Sequence, residues 1–380
     1  MKPPTSLPFT KLVDQEVFAV DERSAQLVVR SSHESVAVDI ADTRIVSATT
    51  RGAAVIDVDG LEPATTYRAE LSTGDGQSLG ELNLTTRPSL GPVISRFATI
   101  SDVHLGAESF GPDPRIKDDR ANGDDAYPLR NGRAAVAEAT AWGAEQLLIK
   151  GDLVDTGARS DWQLAKEMLA DAQIPFRVTA GNHDHWQSRE MDPPEGAELL
   201  GVSSNSVQRI DLDGVRLVLA DTSKPGKGSG DMAPIRDELI DAVSVDTPAF
   251  VGLHHNIQQF PIPWFWPPGI PSTNAQPVVD ALAKANERLF MSSGHSHRNR
   301  VHHIGPDQSV TYTEVSSTSD YPGAWAAYEV TENGIRQTVR RIGSPEAIRW
   351  TEATRSALGG VWPRWSQGRL EDRCVDAVFR

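Results

Sequence analysis

Five apolar runs in this chain, FATIS, LLIK, FRVTA, AFVGL and RLFMSS, each end in side chains able to bind a metal. The clusters that follow are Asp102-Val103-His104, Gly151-Asp152-Leu153-Val154-Asp155, Gly181-Asn182-His183-Asp184, His254-His255 and Gly294-His295-Ser296-His297. Such clusters meet only if the runs are strands whose ends lie along one edge. On a strand, residues i and i+2 share a side, so Asp102 with His104, and His295 with His297, each form a two-toothed grip. Helical patterns near Asn131–Gln146 and Ser160–Ala172 separate the first runs. Strands alternating with helices predict an α/β layered domain with its functional groups at the strand ends. Further strands are expected at VRLVLAD, SVTYTEVSS and AWAAYEV.

Residues 15–88 have a different rhythm. Short alternating runs (VFAVD, AQLVVRS, SVAVDI, AAVIDVDG, TYRAELS, LGELNLTTRP) separated by turn residues predict a small all-β sandwich. Leu61-Glu62-Pro63-Ala64-Thr65-Thr66-Tyr67 resembles the tyrosine corner of fibronectin type III domains. With no tryptophan before Trp142, Leu27 and Val29 are expected in the core instead. The predicted organisation is a β-sandwich over 1–92, an α/β domain over 93–344, and a C-terminal tail over 345–380 that packs Trp350, Trp362 and Trp365 on the body.

A formal net charge of -15 over 380 residues disfavours a general nucleic-acid or anionic-membrane binder, which needs a basic footprint. The single cysteine, Cys374, rules out an intrachain disulfide and a cysteine-based zinc site. The first residues lack the continuous apolar core of a signal peptide, and no stretch is apolar enough to span a membrane, so cytoplasmic residence is expected.

Mixed carboxylate and imidazole donors suit divalent Mn, Fe, Co, Ni or Zn. A two-metal site needs a bridging carboxylate, and Asp152, central and preceded by a glycine that permits a tight turn, is the natural bridge. The ordered set D-x-H, GDxxD, GNHD, strand-end His and GHxH, over roughly residues 95–300, resembles the calcineurin-like metallophosphoesterase superfamily. That resemblance implies a four-layer αββα sandwich preceded by the small fibronectin-like domain, with two divalent ions at the strand ends. Asp102, His104, Asp152 and His297 would hold one ion; Asp152, Asn182, His254 and His295 would hold the other. The family ligand directly follows its strand, which favours His254 and turns His255 toward substrate. Asp155 would orient a ligand such as His297 from behind. Purple acid phosphatases have a similar domain order, but they carry tyrosine at the position of Asp155 and D-x-G in place of Asp102-Val103-His104. A ferric charge-transfer centre is therefore not expected.

The resemblance implies hydrolysis of a small phosphorylated substrate by a metal-bridging hydroxide. His183 would act as the proton donor, and Asp184 would support it or the loop. Within the superfamily the pattern is most similar to class III phosphodiesterases acting on cyclic nucleotides or glycerophosphodiesters. A phosphomonoesterase is the alternative, and a non-catalytic scaffold is a reading from another class. The proline-rich segment Gln258–Pro268, with Trp264 and Trp266, reads either as an aromatic lid over the substrate or as an anchor for its own loop. Residues 106–127 would form the opposite wall, and Arg298 would contact phosphate. The residues carry no statement of oligomeric state.

Overall fold

The computed structural model describes residues 14–118, 120, 124–185, 190–259 and 266–379. The alternating N-terminal runs form two antiparallel sheets. Gln15–Val20, Ala25–Arg30 and Ala53–Val58 make one, and Thr43–Ala48, Ser35–Ile40, Thr66–Thr73 and Ser78–Thr85 make the other. Phe18, Leu27, Val29, Val36, Val38, Ile56 and Leu71 fill the space between them. The Tyr67 hydroxyl oxygen accepts the Glu62 N–H at 2.8 Å, which is the bond of a tyrosine corner. Thr43–Ala48 was not legible in the sequence: it has no buried face, so it carries no apolar alternation.

The rest of the chain builds two six-stranded sheets. The first runs Phe176–Thr179, Gln146–Lys150, Val93–Ile100, Ala324–Thr331, Gly334–Arg341, Cys374–Val378. The second runs Val207–Leu212, Val215–Ala220, Ala249–Leu253, Leu289–Ser293, Val310–Glu314, Arg300–Ile304. Period-two alternation sorts their side chains into layers. Phe97, Leu148, Leu217, Leu219, Phe250 and Phe290 point between the sheets. Their neighbours Ala98, Leu147 and Ile149 turn outward to the helices Tyr127–Trp142, Arg159–Ala170 and Pro345–Thr354. On the other side Val218, Val251 and Met291 meet Arg236–Val243 and Ser272–Ala285. The architecture is therefore the four-layer αββα sandwich behind a small β-sandwich.

Local chemistry moves some expected boundaries. The helix expected from Asn131 starts at Tyr127, because Pro128 fits the first turn, and stops at Trp142, because Gly143 takes a left-handed φ of 93°. Residues 345–380 do more than pack on the body. Cys374–Val378 pairs with Gly334–Arg341 as the outer strand of the first sheet, while the Cys374 side chain sits in the core of the β-sandwich. The sandwich is also fastened by charge: Glu352 receives Arg30 at 2.9 Å and Arg341 at 2.6 Å, all three side chains being nearly inaccessible.

Parallel pairing aligns the strand ends. Ile100 lies beside Ile149, Lys150 beside Thr179, and Leu253 beside Ser293. The five polar clusters therefore emerge on one edge of the double sheet.

Candidate active site

The backbone of these clusters is held where L-residues rarely go. Asp102, His104, Asp152, His295 and His297 have φ of 56°, 54°, 48°, 65° and 51°, five of the eleven non-glycine residues with positive φ among those described. Each such residue costs roughly 1–3 kcal/mol and persists only where its surroundings over-determine it. Gly151 precedes Asp152 with φ 83°. A Cβ on Gly181 would stand 2.2 Å from the Asp152 carboxylate, so only glycine lets the two loops approach.

Donor atoms converge in two groups around Asp152. In the first, His297 Nε2 lies 3.3 Å from Asp102 Oδ1 and 3.4 Å from His104 Nε2, and His104 Nε2 is 4.0 Å from Asp152 Oδ2. In the second, His254 Nε2 lies 3.2 Å from Asp152 Oδ2, 3.2 Å from Asn182 Oδ1 and 3.1 Å from His295 Nδ1.

The other ring nitrogens determine what these contacts mean. His104 Nδ1 faces Asp155 Oδ1 at 3.2 Å, His297 Nδ1 faces Asp320 Oδ2 at 2.6 Å, and His254 Nδ1 faces the Lys150 carbonyl at 2.8 Å. A carboxylate and a carbonyl only accept, so each Nδ1 carries a proton and each Nε2 is left to face the site. As neutral rings, His104 and His297 would set lone pair against lone pair, and His254 would set one against two oxygens. Extra protons would satisfy these contacts singly; a cation would accept several of the donor atoms at once. The buried Nε2 of His295 has no hydrogen-bond partner among the described residues. Carboxylates and imidazoles backed by such acceptors are a fitting donor set for borderline divalent metals. Among the described residues, Asp102/His104/His297 and Asp102/Asp152/His254 each bring donor atoms close enough to share an ion.

Carboxylate and imidazolium charges compensate one another in the site. Burial would raise the carboxyls of Asp102 and Asp152, but imidazolium charge on His297 and His254 holds them below the ordinary range. Burial likewise opposes charge on His254 and His183, and the Asp152 carboxylate overcomes it, raising each to about 9. His295, buried and facing His254, is pushed down to about 3.

His183 stands beside both groups. Its N–H donates to Asp152 Oδ1 at 2.8 Å, and its Nδ1 lies 2.9 Å from the Asp155 carbonyl. Asp184 bonds the backbone. Its two oxygens accept Val154 N–H at 2.9 Å and Gly181 N–H at 2.7 Å, tying one ligand loop to the other. Burial, then the charge of Asp152, raises its carboxyl to about 7. His185 meets Ser223 Oγ at 2.8 Å.

Several expectations need correction. Asp155 backs His104 and His183 rather than His297; the residue behind His297 is Asp320. Asp320 was missed because it follows no apolar run with a recognisable cluster. Arg298 does not reach the cavity: Glu314 holds it at 2.8 and 2.9 Å, and its guanidinium lies over the Trp365 ring. His255 does not face substrate: it is fully buried, with Nδ1 2.9 Å from Thr222 Oγ1. Buried Lys150, whose ammonium meets Ser292 Oγ and Ser293 O, was also missed. An isolated lysine at the end of an apolar run gives no sign of a buried role.

The donor groups floor a cavity of about 520 Å³. Phe110, Tyr127, Trp266 and Trp362 supply its apolar wall, with Glu108 and Asp320 beside them. Of the expected wall 106–127, residues 107–112 and Tyr127 line one side, and Trp266 is exposed at the rim. Trp264 and Trp186 lie outside the described residues.

Residues 95–299 match the calcineurin-like phosphoesterases. The chain is 25% identical over 231 residues to a probable cyclic nucleotide phosphodiesterase of Psychrobacter arcticus, covering 58% of this chain and 78% of that protein. It is 27% identical over 166 residues to the 3',5'-cyclic adenosine monophosphate phosphodiesterase CpdA of Pseudomonas aeruginosa (42% and 57%). It is 24% identical over 168 residues to a probable glycerophosphodiester phosphodiesterase GpdQ of Arcobacter nitrofigilis (40% and 56%). The chain thus spans little more than half the length of the latter two.

Proposed function

The chain belongs to the calcineurin-like phosphoesterase family and is a hydrolase of phosphoric esters, and from this we propose that it is a two-metal phosphodiesterase. Asp102, His104, Asp152 and His297 would hold one divalent ion, and Asp152, Asn182, His254 and His295 the other. Bound there, such ions neutralise charge on the phosphate and lower the pKa of water.

The observation that carries the diester reading is the charge of the wall. The described charged side chains lining the cavity are carboxylates, Glu108, Asp152, Asp155 and Asp320, beside the imidazoles. With Asp152 taken up by the ions and Asp155 and Asp320 by imidazoles, no described lysine or arginine of the wall is left to meet a second phosphate charge, which favours a diester monoanion over a monoester dianion. The apolar side, Phe110, Trp266 and Trp362, suits an organic substituent on the second ester bond. The three curated relatives are named as phosphodiesterases, in keeping with this reading.

The protein's own groups supply orientation and the proton. His183 is the proposed donor to the leaving oxygen, because its ring lines the cavity and is held by Asp155 beside Asp152. Asp155 and Asp184 set its position, one through the ring and one through the loop. Exposed Trp266 is proposed to contact the substrate.

The test compares bis(p-nitrophenyl) phosphate with p-nitrophenyl phosphate under added Mn, Fe, Co, Ni or Zn. Higher kcat/KM for the diester is expected. Preference for the monoester would overturn the diester reading, and hydrolysis of neither under any of these metals would favour a binding scaffold.

A further inference from the structure

Resting on the reading of His297 as a metal ligand, we infer that Trp362 is a positioning residue for the metal centre, acting on His297 through Asp320. Trp362 lies on the helix Ala357–Ser366, well beyond the family match, which ends at residue 299.

The contact chain is short and buried. Trp362 Nε1–H donates to Asp320 Oδ1 at 2.8 Å, and Asp320 Oδ2 receives His297 Nδ1–H at 2.6 Å. Trp362 and Asp320 are each 2% exposed. A carboxylate bonded through one oxygen alone can still turn about its own axis; a donor on the second oxygen fixes the plane. The fixed plane sets the tautomer and tilt of His297, and so the direction of the Nε2 lone pair beside Asp102.

The same segment holds the turn at two more points. Trp365 Nε1–H donates to the Ser296 carbonyl at 3.0 Å, and Asn299 N–H to the Ser366 carbonyl at 2.9 Å. His297 keeps a left-handed φ of 51°, a conformation that needs support of this kind. The Trp362 ring also packs edge-to-face on Phe110, with centroids 5.1 Å apart, and this packing must be separated from the indole hydrogen bond.

Trp362→Phe makes that separation, since it keeps an aromatic ring and removes the N–H. Trp350→Phe is the control. Trp350 is a fully buried tryptophan of the same segment, stacked on Tyr127, and its indole N–H has no partner among the described residues. Each protein is purified as the full chain, its metal content is measured by plasma emission spectrometry, and Mn is titrated calorimetrically into the metal-free form. In W362F one of the two ions should bind about tenfold to a hundredfold more weakly, with the melting temperature of the metal-free protein shifted no more than in W350F. Asp320→Asn should weaken the same ion, because one amide oxygen cannot accept from both Trp362 and His297 and a neutral amide backs the imidazole less strongly. The double variant should add little to either single change.

Wild-type affinity for both ions in W362F, or a loss no larger than in W350F, would overturn the inference. If W362F does not fold, unchanged metal binding in D320N overturns it instead. His297→Ala tests the premise separately. If it retains both ions, the assignment of His297 as a ligand fails; if it loses one while W362F does not, only the role of Trp362 fails.

Discussion

The backbone N–H of His183 donates to the Asp152 carboxylate at 2.8 Å, so the proposed proton donor hangs from the proposed bridging ligand by its main chain. The backbone thus braces the carboxylate independently of the ring, which Asp155 holds. His183→Ala keeps the brace and removes the ring. We expect kcat to fall about 10²- to 10⁴-fold, the usual contribution of a positioned acid, with metal content unchanged. Steady-state kinetics paired with metal analysis checks this, and loss of metal alongside activity would reassign His183 as a ligand.

Chelation should destabilise as well as inactivate. Asp102 and Asp152 are buried, and cations are the natural compensation for their charge. Ions that bind only the folded state stabilise it by about 4 kcal/mol at a thousand times Kd. Dialysis against EDTA should lower the melting temperature and Mn or Zn should restore it; an unchanged melting curve would argue against a metal centre.

Glu138 predicts a pH dependence remote from the metals. Its oxygens accept Gly343 N–H at 2.8 Å and Trp325 Nε1–H at 3.1 Å, and burial raises its carboxyl from 4.5 to about 7. A raised folded-state pKa means that the folded state holds the proton more tightly. The associated stability is complete below about pH 4.5 and is lost as pH rises through about 7. Glu138→Gln should flatten that part of the stability curve, read by urea denaturation at pH 5, 6, 7 and 8. A slope unchanged by the substitution would place the titration elsewhere.

Glu352 should be one of the costliest single positions outside the site. It pairs with Arg30 and Arg341 together, in a setting that holds its carboxyl down at about 2 against the penalty of burial. Removing it in Glu352→Ala leaves two buried guanidinium groups short of their anion, a change that costs about 3–5 kcal/mol. Chemical denaturation should show this loss, and a loss under about 1 kcal/mol would show that water or another acid takes its place.

Trp266 is expected to act on substrate alone. It is exposed at the rim, with its ring 6.0 Å from that of Trp362. Trp266→Ala should raise KM for bis(p-nitrophenyl) phosphate about threefold to tenfold, the worth of one aromatic contact, with little change in stability. Unchanged KM with a lowered melting temperature would make it an anchor of its own loop instead.

The donor clusters were legible because the physics that places them is local. An apolar run that must be a strand ends where polarity begins, although Asp102 with His104, and His295 with His297, are brought together by left-handed turns past the strand ends and not by strand alternation. The alternating runs of the first ninety residues and the tyrosine corner were readable for the same reason. Contacts that depend on which distant segment arrives opposite were not. Arg298 looked free to meet phosphate until Glu314, on the paired strand, claimed it. His255 looked open because only the fold brings Thr222 against it and closes it off. Asp155 and Asp320 could be told apart only once His104 and His297 had been given their places.

Donor chemistry and its placement were thus readable from the sequence alone: which side chains can bind divalent ions, and that they stand at strand ends. Tertiary structure decided which carboxylate backs which imidazole, and that a helix some sixty residues beyond the last donor cluster supports His297. Such pairings depend on angles and on distances of about 3 Å between residues far apart in the chain, and periodicity carries no information about them.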